Sequence, residues 1–171
     1  AAVSIAERWR AWPLSVTLAL VLGLIGSILA PFAAARWKTI GNALVVAVPA
    51  LLFIFFLMQL RAVGEAPIME VNPWVPSLGI DLTIRLDGFS LLFALLISGI
   101  GTLVALYAAS YMDEKTPFYR AQFLFYILLF MSAMLATVTA DNLMALFVFW
   151  EMTSLLSFLL VGFDSTKLAA R

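Results

Sequence analysis

Cysteine and histidine are both absent from the 171-residue sequence. Their absence excludes disulfides, thiolate or imidazole metal sites, heme ligation and Ser-His or Cys-His catalysis within this chain. Charge is scarce too: 12% of the residues are Asp, Glu, Lys or Arg, against about 25% in an ordinary soluble domain. The ten basic and ten acidic side chains cancel, so no charge excess points to nucleic acid or to an acidic partner. No flavin, quinone or iron–sulfur ligand set is present, and no cofactor or metal is expected. Chemistry here must use carboxylates, amines or hydroxyls.

In place of charge the sequence carries apolar surface. Hydrophobic residues make up 64% of it and the mean hydropathy is +1.08, outside the range of a water-soluble fold, where about 45–50% is usual. A hydrocarbon core about 30 Å thick is crossed by about 20 apolar residues. Five such runs fall between the charge clusters, at 13–35, 40–60, 89–111, 120–140 and 142–163. In lipid every backbone polar group must be satisfied within the segment or in a closed barrel, and these runs are long and non-alternating, so each reads as a helix. The expected fold is an all-α polytopic bundle of about five spans, a single transmembrane domain over 1–171 with the bilayer as its first partner.

The first run has a rival reading, because Arg8 and Arg10 precede it and Ala33-Ala34-Ala35 close it, as in a signal peptide. Leu14 to Ala30 exceeds the usual apolar core of about 7–15 residues, and a second span follows at once, which favours a retained helix. Trp9, Trp12 and Trp37 bracket it as interfacial aromatics do. Ala19, Gly23 and Ser27 recur at every fourth position, a spacing that lets a neighbouring helix approach closely. Ser98, Gly99, Gly101 and Thr102 form a similar patch on the third span. Pro49 removes a backbone donor from the second span, a kink that serves either function or packing.

Arg61 to Asp87 is the one long polar connection. From Ile80 to Asp87 it alternates apolar with polar residues, the period of a strand, which predicts a short surface hairpin outside the membrane. Asp141-Asn142 break the last two spans, and either type of side chain can cap a helix. With five spans, Arg8, Arg10, Arg61 and Arg85 share one side, while Arg36, Lys38, Lys115, Arg120, Lys167 and Arg171 share the other. Six cations against four put the second set in the cytoplasm and the N-terminus and the 61–87 loop on the outer face. The tail from Asp164 has the composition of the start of an interfacial helix. No internal repeat, low-complexity tract or interdomain linker is evident.

Nineteen of the twenty ionisable side chains are placed by this reading in loops, tails or span ends, within reach of water or headgroups. Glu151 is the exception, close to the middle of the fifth span. An acid at that depth costs about 2.5–3.5 kcal/mol on insertion scales, so it needs a partner, a water-filled cavity or a proton. Desolvation favours its neutral form and a nearby cation its charged form. That sensitivity suits a proton relay, with Thr153, Ser154 and Ser157 as supporting polar residues able to hold waters. Two other readings stand beside it: a static buried tie for Glu151, and a hydroxyl bonded back to its own helix for Ser154. Lys38, Lys115 and Lys167 all lie at membrane edges, so a switching cation must come from elsewhere. That absence, the missing initiator Met and the abrupt end suggest a piece of a longer transporter, or a subunit that needs neighbours.

Arg85-Leu86-Asp87-Gly88-Phe89-Ser90-Leu91-Leu92-Phe93-Ala94, then Met134-Leu135, Asp141-Asn142-Leu143 and the run Phe147-Val148-Phe149-Trp150-Glu151-Met152-Thr153-Ser154 through to Phe163 resemble the amino-terminal part of the antiporter-like membrane subunits. That superfamily includes proton-pumping subunits of respiratory complex I, membrane-bound hydrogenase subunits and Mrp-type cation/proton antiporters. Motif order and spacing agree over about 75–163, and the Phe-Trp-Glu-Met-Thr-Ser-Leu form resembles the Mrp branch more than the complex I branch. The resemblance implies that Glu151 is the family's fifth-helix acid, paired with a Lys on the seventh helix, and that 61–87 lies on the outer face. Asp87 and Gly88 match the motif but read as a loop end and a helix start, not as ion ligands. Family members have many more helices, their inverted repeat beginning at the fourth.

The implied function is a subunit of a cell-membrane complex that exchanges Na⁺, K⁺ or Li⁺ for protons alongside other membrane subunits, a secondary transporter and not an enzyme. Two alternatives remain at this point: a proton-pumping membrane subunit of a respiratory NADH dehydrogenase or membrane-bound hydrogenase, and a scaffold bundle without transport.

Overall fold

The computed structural model describes residues 15–163. Five helices are long and apolar enough to cross a membrane. They are α1 (Val16–Arg36), α2 (Lys38–Met58), α4 (Gly88–Tyr111), α5 (Pro117–Thr139) and α6 (Leu143–Val161), with a short α3 (Leu60–Glu65) prolonging α2. Strands β1 (Ile68–Val75) and β2 (Ile80–Leu86) form a two-stranded antiparallel hairpin. Trp9, Trp12, Arg8, Arg10 and the tail from Asp164 lie outside the described residues.

Successive long helices alternate in direction, so the starts of α1, α4 and α6 and the ends of α2 and α5 meet at the hairpin end. Trp37 alone joins α1 to α2. The Trp37 N–H donates to Ala33 C=O and the Gly41 N–H to Trp37 C=O, each at 2.8 Å. So tight a reversal presses the first turn of α2 on the last turn of α1. A Cβ on Gly41 would fall on the main chain of Ala34.

Small residues set the spacing of the bundle. Ala19, Gly23 and Ser27 are buried on α1, and a Cβ on Gly23 would come within 2.8 Å of Leu52 Cδ1 on α2. Gly101 plays the same part on α4, where an added Cβ would meet Met131 Sδ of α5 at 2.6 Å. Helices in lipid associate by close packing and interhelical hydrogen bonds, not by expelling water, so such contacts are what holds them. Ser27 adds a polar tie: its hydroxyl lies 2.8 Å from Ser132 Oγ of α5, and it also donates to Gly23 C=O at 2.7 Å. Pro49 and Pro31 are buried inside helices that run through them, so both face the packed interior.

Two apolar clusters fill the bundle. One, at the hairpin end, joins Leu52, Phe56, Leu91 and Leu135 to the hairpin's Ile84 and Leu86; the other joins Ala30, Val45, Ala105, Leu124 and Leu128 nearer the opposite end. The hairpin alternates as strands over a core do. Glu70 pairs across with Ile84 and Asn72 with Leu82 on the inward face, while Val71 and Arg85 face out. Gly79, at φ +65°, makes the turn.

Two expectations need correction. The second span does not give way to an extended loop at residue 61. Gln59 keeps right-handed helical backbone and α3 continues to Glu65, since no proline interrupts until Pro67. Arg120 is not at a wetted edge. It is 4% exposed, with its guanidinium Nε and NH2 buried as well, because the first turns of α5 pack within the bundle.

Candidate functional site

Helix α6 begins at a built joint. The Asn142 Oδ1 accepts the N–H groups of Met144 and Ala145 at 2.7 and 3.2 Å, satisfying two donors that a helix start otherwise leaves open. Its Nδ2 donates to Asp81 C=O on β2 at 2.5 Å. Beside it the Asp141 N–H donates to Thr83 C=O at 2.9 Å, and Ala140 bridges antiparallel to Ile84. Arg85 NH1 lies 3.9 Å from Asp141 Oδ1, and Arg85 Nε 3.3 Å from Asp87 Oδ2. Of the two residues expected to cap α6, Asn142 does so and Asp141 faces Arg85.

The same hairpin holds two other helix starts. Asp87 caps α4, accepting from Phe89 N–H at 3.1 Å and Ser90 N–H at 3.0 Å, while Ser90 Oγ accepts the Asp87 N–H in return at 2.7 Å. The Ser90 N–H, seconded by the Ser90 hydroxyl, Arg85 and the Phe89 N–H, holds the Asp87 carboxyl below its usual value of 3.8 against a weaker opposing effect of burial. Glu70 adds to a local cap on α1, where the Ser15 hydroxyl accepts Leu18 N–H at 3.0 Å: its carboxylate accepts Val16 N–H at 2.7 Å, Thr17 N–H at 2.8 Å and the Thr17 hydroxyl at 2.5 Å. Asn72 Nδ2 donates to that hydroxyl at 3.0 Å. Sequence reading missed Glu70. Its position on the inward face of an alternating strand was the available signal, but the helix it caps lies more than fifty residues away in the chain.

Glu151 is the ninth residue of the 19 in α6, about 12 Å from the helix start at 1.5 Å per residue. Among the residues described, α6 packs along α5 and buries there only Ala145 and Leu156. Glu151 lies roughly 130° around the axis from that contact line, exposed, with Phe147, Trp150, Leu155 and Phe158, 60–74% exposed, around it. No hydrogen bond or ion pair among the described residues engages its carboxylate. The supporting hydroxyls divide: Thr153 and Ser154 each donate to Trp150 C=O, at 2.7 and 3.2 Å, and Ser157 is exposed on the helix. The two donors are thus engaged by their own helix, and only their lone pairs face outward. The structure brings Glu151 and Ser154 to one face and gives neither a partner on another element among the described residues.

Comparison with known proteins meets this geometry at both hairpin and helix. Residues 74–123 match the family described as NADH-ubiquinone oxidoreductase (complex I), chain 5 N-terminus. Fold and sequence thus define the chain as homologous to the antiporter-like membrane subunits. The Na(+)/H(+) antiporter A subunit of Alkalihalophilus pseudofirmus is 51% identical over 120 residues, 70% of this chain and 15% of that protein. The A1 subunit from Staphylococcus haemolyticus is 40% identical over 156 residues, 90% of this chain and 19% of its own length. The Mrp complex from Dietzia sp. DQ12-45-1b superposes with a TM-score of 0.74 at 28% identity, covering 92% of this chain and 16% of the one it matches. An archaeal membrane-bound sulfane sulfur reductase shares the fold, with a TM-score of 0.72 at 24% identity over 85% of this chain and 22% of its own. The chain is related to the amino-terminal part of the A-type subunits of the Na⁺/H⁺ antiporters, and it spans 15–19% of the length of these curated relatives.

Proposed function

We propose that this chain forms the amino-terminal helices of a Na⁺/H⁺ antiporter subunit, working in a hetero-oligomeric complex of the cell membrane, with Glu151 as a protonatable relay group. The observation that carries the reading is an unpartnered carboxylate at mid-height on a lipid-depth helix. Left against hydrocarbon it would cost about 2.5–3.5 kcal/mol, so the exposed face of α6 calls for a further protein surface. A cation presented there would draw the proton off Glu151, and its withdrawal would return it. Ser154, one turn on, shares the face of the carboxylate and can accept a hydrogen bond from a water bridging to it, while Thr153 and Ser157 add polar groups to the same half-helix.

The exchanged ions are taken from the relatives' names: protons against Na⁺. Orientation follows the charge distribution, with the basic end (Arg36, Lys38, Lys115) in the cytoplasm and the hairpin outside. The test is Glu151→Gln in the complete complex, with cation-driven pH changes followed in everted vesicles. Exchange should be lost while the complex still assembles; exchange at the parental rate refutes the relay.

A second reading, a proton-pumping subunit of a redox complex, draws on the match to complex I chain 5. Co-purification separates the two: cluster-bearing peripheral subunits support the redox complex, small membrane subunits alone the antiporter.

A further inference from the structure

We propose that Asn142 is a positioning residue that sets the axial place of Glu151 by fastening the start of α6 to the outer hairpin. The inference rests on the relay reading of Glu151. Its basis is how α6 is held. Past its end Phe163 packs on the rings of Tyr119, Phe123 and Tyr126 of α5. Along its length the helix buries two side chains among the described residues, whereas its start is sewn to β2 by the Asn142–Asp81 and Asp141–Thr83 bonds and the Ala140–Ile84 bridge. Ile84 is 2% exposed and belongs to the core cluster at the hairpin end. β2 itself runs directly into the capped start of α4. The seam therefore ties α6 to a rigid reference, and α5 contributes no charge opposite Glu151, its one ionic side chain, Arg120, lying at the far end.

Asn142 has two separable jobs. Its oxygen caps the helix and its amide nitrogen reaches the hairpin. Serine is as good a cap and carries no charge, but its hydroxyl sits on Cβ and is too short to reach Asp81 C=O as well. Asn142→Ser thus keeps the helix start and cuts the tie, with no new charge among Asp81, Arg85, Asp87 and Asp141 that surround it.

The experiment uses the complete complex in everted vesicles and compares parent, Asn142→Ser and Glu151→Gln. Carbodiimide modification of Glu151, which requires the protonated acid, is followed against pH beside the exchange rate. Asn142→Ser should assemble to parental levels, lower exchange roughly ten-fold or more through misplacement, and move the pH midpoint of Glu151 modification by about half a unit or more. A parental midpoint and rate in Asn142→Ser overturn the positioning role. If Glu151→Gln exchanges normally, the relay reading itself fails, which is a different outcome. Should Asn142→Ser fail to assemble, Asn142→Thr, an uncharged cap likewise too short to reach Asp81, takes its place under the same criteria.

Discussion

At the residue scale, Glu70, Asp87 and Asn142 close the starts of α1, α4 and α6, while serine and threonine hydroxyls bond back within their helices. Asp87 shows how such a cap responds to pH. Its carboxyl titrates lower in the folded protein than the ordinary 3.8, so on acidification the unfolded chain takes up the proton first. The stabilisation is complete above about pH 4 and disappears as pH falls through the folded value. Replacing Asp87 by Ala should cost about 0.5–2 kcal/mol at neutral pH. Asp87→Asn should retain most of the cap and flatten the acid limb of a thermal-stability profile measured on the detergent-solubilised protein; an unchanged limb means the cap does not form in solution. Glu151 stands out in the sequence because a charge among apolar residues at that depth needs a partner, water or a proton. Glu70 does not, since a carboxylate in a polar connection gives no sign that it will close a helix formed by residues far upstream.

At the element scale, the spans could be read from length and hydrophobicity, and β2 from its alternation. The approach distances could not, because a glycine in a helix looks alike whether a neighbour presses on it or not. Gly41 and Gly64 make the contrast. Gly41 has the Ala34 main chain where a methyl group would go, while nothing lies within 4 Å of the same point on Gly64. Gly41→Ala should prevent accumulation of the folded protein, and Gly64→Ala should raise stability by about 0.5–1 kcal/mol; membrane-fraction yield and thermal midpoint read the two. A double-mutant cycle on Ser27 and Ser132, whose hydroxyls meet across α1 and α5, should give a coupling of about 0.6 kcal/mol, the usual size of an interhelical hydrogen bond in a bilayer. Zero coupling would assign that contact to shape alone.

At the scale of the molecule, charge is sorted by end. The hairpin end has Arg61 and Arg85 with five carboxylates, Glu65, Glu70, Asp81, Asp87 and Asp141, whereas the opposite end has Arg36, Lys115 and Arg120 with Glu114. Orientation is set by the cations and hardly by the acids, and the cations of the described residues favour the same proposed topology. Because the chain has no cysteine, single thiols can report the sidedness directly. Trp74→Cys, on the hairpin, should react with a membrane-impermeant maleimide in intact cells, and Lys115→Cys only in everted vesicles. The reverse pattern would invert the proposed topology.

The reversal at Trp37 bears on how the chain is made. With one residue between two membrane-length helices, the corner closes only once both segments are helical. The pair is therefore expected to enter the bilayer as a helical hairpin. Lengthening that corner would uncouple the two insertions, turning one committed step into two independent ones.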